Sequence, residues 1–122
     1  MSLFQKIGKS LICQIISEFY DRAFEDPYLI HFFRNSSKEN LIKNQTDFAI
    51  ALLGGPKNYS GVSLPKAHHH LNIKPAHFGR RQVIMAEVLN DLKVEPELAK
   101  KWLSLEEKLR PLIVKGDSCD QN

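Results

Sequence analysis

The chain has 122 residues, 43% hydrophobic and 25% charged, enough for one domain and too apolar for wholesale disorder. Seventeen Lys and Arg against fourteen Asp and Glu leave a net charge of +3, too diffuse to imply a nucleic-acid partner. Cys13 and Cys119 form neither a disulfide framework nor a metal pair, the longest apolar run (Phe48 to Leu53) is too short to cross a bilayer, and no signal peptide is read. A reducing, cytoplasmic setting is expected.

Helical periodicity dominates, and no segment alternates as a strand would. Ser2 to Ile7 reads as a short helical turn stopped at Gly8, and Ser10 as the N-cap of a long helix. Its apolar stripe runs Leu11, Ile12, Ile15, Ile16, Phe19, Tyr20, Ala23, Phe24. Asp26-Pro27 ends it and starts the short aromatic piece Tyr28 to Phe33. Ser36 with Glu39 fits a capping box for a second long helix, with Leu41, Ile42, Gln45, Phe48, Ala49 and Leu52 on one face. Gly54-Gly55-Pro56 stops it, and a loop runs to Pro65. A short helix is expected over 65–71. Pro75 opens a long helix with Phe78, Met85, Val88, Leu89 and Leu92 inward. Pro96 opens the last, with Leu98, Trp102, Leu105, Leu109 and Leu112 inward and a kink near Pro111. The result is an all-α domain over 1–116 and a polar, disordered tail over 117–122.

Four of the five histidines lie between positions 68 and 77. Helical neighbours point about 100° apart, so His68, His69 and His70 cannot share one ion. His68 shares a face with Leu64 and Leu71, which makes it the inward one. Taken alone, an inward histidine is more often a hydrogen-bonded core residue than a ligand. Zinc needs at least three suitably spaced ligands; only His77 is near, and Pro75 starts a new helix between.

Tyr20 and Gln45 are polar residues on apolar stripes. Each either bonds a backbone carbonyl or the other, or lines a cavity for a polar ligand; left unpaired, each costs about 1–3 kcal/mol. Tyr28, Phe32, Phe33 and Phe48 suit plain core and suit a flat apolar cofactor equally. The pocket wall is read as Leu41, Phe48, Ala49, Leu52 and Val88, and Gly79-Arg80-Arg81 and Lys100-Lys101 as solvated faces.

The ordered set Phe19-Tyr20, Phe32-Phe33, Leu41 with Gln45, Leu53-Gly54-Gly55-Pro56, Tyr59, Ala67-His68, Ile73 and His77-Phe78 resembles the truncated haemoglobins, most closely group I. The resemblance runs from about Leu3 to Val114. It implies a truncated globin domain over 1–116, a two-over-two helical sandwich enclosing one non-covalent haem b per chain. His68 matches the proximal residue that ligates the iron. Tyr20 and Gln45 match the distal hydrogen-bonding pair, and Phe33 the aromatic wedged against the haem face. Leu41, Phe48, Tyr59, Leu64 and Phe78 fall at haem-lining positions. In place of the family's first Gly-Gly pair stands Gly8-Lys9, so a shortened or differently docked N-terminal segment is expected. Leu41 and Asn44 leave no second, distal histidine ligand, and no histidine follows His77 to bond haem covalently.

The implied function is reversible binding of dioxygen, nitric oxide or carbon monoxide, in oxygen transport or sensing. Nitric-oxide dioxygenase or peroxidase chemistry would need an external reductase. A monomer without nucleic-acid or membrane partners is expected. The competing readings are a haem-free helical interaction module and a histidine-cluster metal protein, which the colour of the purified chain separates.

Overall fold

The computed structural model describes residues 1–57 and 71–114. The expectations for Tyr59, Leu64, His68 and the rest of 58–70, and for the boundary at 116 and the tail, lie outside the described residues.

Every regular element among the described residues is helical: α1 (Leu3–Ile7), α2 (Lys9–Ala23), a 3₁₀ turn (Ile30–Phe33), α3 (Lys38–Leu52), α4 (Pro75–Asp91), α5 (Pro96–Glu107) and α6 (Arg110–Ile113). Local chemistry sets most of the ends. Ser2 and Gln5 form a reciprocal capping box on α1. The start of α2 falls at Lys9 rather than after Ser10, because Gly8, at φ 92°, makes the corner itself. Ser37, not Ser36, caps α3 by accepting from the Asn40 N–H at 3.2 Å. Pro75 and Pro96 open α4 and α5 as expected. The last helix breaks at Lys108–Leu109, two residues before Pro111, whose missing N–H cannot continue the ladder. Leu112, expected inward, is 46% exposed on the short α6 beyond that break.

The end of α4 carries no glycine. Lys93 takes the left-handed conformation at φ 63°. Its N–H bonds the Asn90 carbonyl, and the Val94 N–H reaches back to Leu89. Those two bonds make a Schellman motif, and Leu89 and Val94, the positions it brings together, are both buried.

The core is built where α2 packs on α3 and on α4, and α4 on α5. Ile12 and Ile15 of α2, Met85, Val88 and Leu89 of α4 and Trp102 of α5 have essentially no exposure. Each contributes roughly 1.5–3 kcal/mol by leaving water. The pairs α2–α3 and α4–α5 give a two-over-two arrangement. Only Thr46, Ala49 and Ile50 of α3 enter the core; Leu41, Gln45, Phe48 and Leu52 stay half-buried on its other flank.

The N-terminal segment is present and docked. The Phe4 N–H bonds the Leu53 carbonyl at 2.8 Å. Gly54 sits at φ 97°, and a Cβ on Gly55 would meet Ile50 and the Phe4 ring at 2.7 Å. The Gly-Gly pair thus ends α3 and also leaves room for α1 to lie against it.

Candidate functional site

A cavity of about 520 Å³ opens between α2, the 3₁₀ turn, α3 and α4, a volume suited to a small-molecule ligand. Its walls bring together six sequence-predicted residues: Tyr20, Phe33, Leu41, Gln45, Phe48 and Phe78. Ala49 and Leu52 line it as expected. Val88 does not; it points from α4 into the core and is fully buried there. Tyr28 stands 66% exposed, because its N–H is bound to the Asp26 side chain and its ring turns outward.

The aromatic wall is rigidly set. Phe24 and Phe33 stack at 4.6 Å and 8°, and Tyr20 meets Phe33 edge-on at 6.0 Å. Such pairs lock ring orientation as well as burying area.

Two polar groups face this wall. Neither the Tyr20 hydroxyl nor the Gln45 amide has a hydrogen-bond partner among the described residues, so neither expected backbone or mutual bond is made there. No sealed side-chain oxygen or nitrogen among those residues lacks a partner. The unpartnered groups therefore reach open space, and the space that both line is the cavity. Burial pushes the Tyr20 phenol up to about 12, against the opposing pull of the Arg81 cation, with Glu106 adding to the rise. A phenol is a neutral O–H donor at ordinary pH in any case, and the shift only moves its ionisation further away.

Arg81 and Glu106 were not legible as site residues. Arg81, read as part of a solvated pair, lines the cavity and is bound end-on by Glu106, Nη1 to Oε1 at 2.7 Å and Nη2 to Oε2 at 3.1 Å. Glu106 is 5% exposed and also accepts from the Trp102 indole at 2.8 Å. The guanidinium lies 4.8 Å from the Phe19 ring centre. Burial lowers the Arg81 pKa, but Glu106 more than offsets it, so the cation is held above its ordinary value. Arg80 is likewise not a free surface charge: it binds the buried Asp26 at 2.7 Å. A signal did exist. Phe78, Arg81, Met85 and Val88 follow one another at i+3 and i+4 spacing, so Arg81 sits on the inward stripe, and Glu106 is four residues from Trp102.

At one edge of the cavity stand His31, Phe32 and His77. His77 Nδ1 accepts from the Lys74 N–H at 3.0 Å, and its ring meets Phe32 edge-on at 4.9 Å. Burial first, then the neighbouring His31 and Lys74 charges, lower its pKa.

Among the described residues no three His, Cys, Asp or Glu side chains cluster to hold a metal. No described helix is long and apolar enough to cross a membrane. The cavity's aromatic and aliphatic walls, with two inward polar groups left unpartnered, fit a flat apolar cofactor carrying a small polar ligand.

Comparison with known proteins agrees with that fit. The model of the bacterial-like globin family matches residues 2–114. A group 1 truncated haemoglobin of Tetrahymena thermophila is 31% identical over 98 residues, covering 80% of this chain and 81% of the relative. One of Mycolicibacterium paratuberculosis is 30% identical and covers 96% and 87%. The crystal structure of the truncated haemoglobin of Tetrahymena pyriformis in its Fe(III) form superposes with a TM-score of 0.89 at 28% identity, covering 93% of this chain and 98% of that one.

Proposed function

Because this chain belongs to the bacterial-like globin family, among the group I truncated haemoglobins, and is therefore a globin that binds haem and diatomic gases, we propose that Tyr20 and Gln45 hold the gas. We propose further that the haem is of b type, bound non-covalently and ligated by His68. The observation that carries the reading is the pair of unpartnered polar groups facing an aromatic-walled cavity. Bound haem supplies an iron that takes the diatomic ligand and a porphyrin that fills the apolar space. Phe33, held by its stack on Phe24, supplies a fixed flat wall for that porphyrin. Leu41, Phe48 and Leu52 keep water out. The Tyr20 hydroxyl, a neutral donor, gives a hydrogen bond to the ligand, and the Gln45 amide supports it. The absence of any histidine after His77 favours non-covalent attachment.

Dioxygen draws negative charge when it binds, and hydrogen bonds to charged groups are worth roughly 1.5–3 kcal/mol. Tyr20→Phe should therefore speed dioxygen release roughly ten- to a hundredfold, Gln45→Leu less, and carbon monoxide, a poorer acceptor, should respond weakly in both. Stopped-flow rates for dioxygen that match the parent in Tyr20→Phe would overturn the assignment. His68→Ala should alter the visible spectrum; an unchanged spectrum removes His68 as ligand.

Two donors on one small ligand favour slow release, which suits chemistry on the gas better than its delivery. The activity proposed is oxidation of nitric oxide: nitric oxide, dioxygen and one electron from an external reductase give nitrate. Nitric oxide is uncharged and can pass the apolar wall. Sustained nitrate production with an electron donor, faster than that of a carrier globin under the same conditions, tests it; an equal rate leaves ligand binding or sensing.

A further inference from the structure

A guanidinium has two edges that can grip a pair of oxygens. In Arg81 the end-on edge, Nη1 and Nη2, is occupied by Glu106, and the outer Nη1 hydrogen is taken by Gln82 Oε1. The side-on edge, formed by Nε–H and the second Nη2–H, has no hydrogen-bond partner among the described residues. Nor is it sealed away: no enclosed nitrogen of those residues is unpartnered, and Arg81 keeps 27% of its side chain accessible while lining the cavity. The bond to Glu106, the Glu106–Trp102 bond and the Phe19 ring face fix the plane of the group before anything binds.

We propose that this Nε–H and Nη2–H edge is an anion subsite of the cavity, shaped for a small planar oxyanion that offers two oxygens, as nitrite and nitrate do. Parallel N–H donors at this spacing are the geometry in which arginine recognises planar oxyanions, and a lysine cannot reproduce it. Glu106 takes only the end-on edge, so the two side-on N–H donors keep their own pull on an acceptor. Tyr20 lines the same cavity and offers a neutral O–H there. The subsite rests on the gas-binding reading of this cavity, and the proposed nitric-oxide oxidation would release an anion of this class.

The test is a spectrophotometric titration of the haem-loaded ferric protein with nitrite and, separately, with neutral imidazole. Arg81→Leu alone would strand Glu106, so the variants are Arg81→Lys and the double change Arg81→Leu with Glu106→Leu. The ratio of nitrite to imidazole affinity should fall about tenfold or more in both, in keeping with loss of a charge-assisted bidentate contact. Arg81→Lys with parental nitrite affinity overturns the fork, and should the double variant fail to fold, this variant decides. The double variant with parental affinity removes any role for the cation. A parent protein that forms no ferrous carbonyl spectrum overturns the gas-binding reading and this one with it. A normal carbonyl spectrum with unchanged nitrite affinity in the variants overturns this one alone.

Discussion

Glu106→Leu should be among the most damaging single changes in the chain. The carboxylate is 5% exposed and binds the Arg81 guanidinium twice and the Trp102 indole once. Replacing it leaves a cation inside the protein without its counter-charge, and breaking a buried pair from one side costs about 3–5 kcal/mol. Arg81 keeps 27% of its side chain accessible, which places the loss toward the lower end of that range. Against a total stability of about 5–15 kcal/mol this is a large share, roughly 10–20 °C in Tm. Adding Arg81→Leu should restore part of it, because the stranded charge is gone. Recovery stays incomplete, since the indole N–H of Trp102 still lacks an acceptor, a loss of about 1–3 kcal/mol. Urea unfolding at fixed protein and haem concentration gives all three values, the fixed haem being necessary because a bound ligand adds stability by mass action. A Glu106→Leu loss below about 1 kcal/mol, or a double variant less stable than the single, would refute the reasoning.

Lys93→Gly should stabilise the chain by about 0.5–1 kcal/mol in the same assay, because the left-handed conformation at φ 63° strains a side chain and not a glycine; a loss would argue that Lys93 makes contacts that outweigh the strain. Gly55→Ala should cost about 1–3 kcal/mol, since the new methyl meets Ile50 and Phe4 at 2.7 Å; an unaffected urea midpoint would mean that α1 shifts freely. His77 should titrate below the ordinary histidine value, and its protonation competes with the bond that Nδ1 accepts from Lys74. Its folded pKa lies beneath the unfolded value of about 6.5, so its contribution is complete above that pH and is lost as pH falls through the lowered folded value. An NMR midpoint at or above 6.5 contradicts this, and His31→Ala should raise the midpoint.

The helices were readable because each long one carries an apolar stripe, and three of the four have a proline or a capping serine at their start. The cap residues themselves were less so: Ser10 and Ser36 have the right chemistry, yet the chain turns at Gly8 and Ser37, where backbone geometry decides. Tyr20, Phe33, Leu41, Gln45, Phe48 and Phe78 were legible because family spacing survives in the sequence, and the fold gathers them on one cavity. Arg81 was not, because its meaning depends on Glu106, 25 residues later on another helix. A charged residue beside another charged residue reads as surface until its partner is seen. Val88 fell on the inward stripe of α4, but α4 has both a core side and a cavity side, and periodicity alone does not separate the two.

The bond from Phe4 to Leu53 has a consequence in time. It joins positions about fifty residues apart, and closing so long a loop carries an entropy penalty that nearby contacts do not. α1 is therefore among the last helices to find its seat, which does not exist until the far end of α3 has stopped at its glycines. Contacts made that late lie beyond the folding barrier, so weakening them hastens unfolding and leaves refolding nearly untouched. In Gly55→Ala the lost stability should accordingly fall on the unfolding arm of the chevron, and a slowed folding arm would place the docking of α1 early instead.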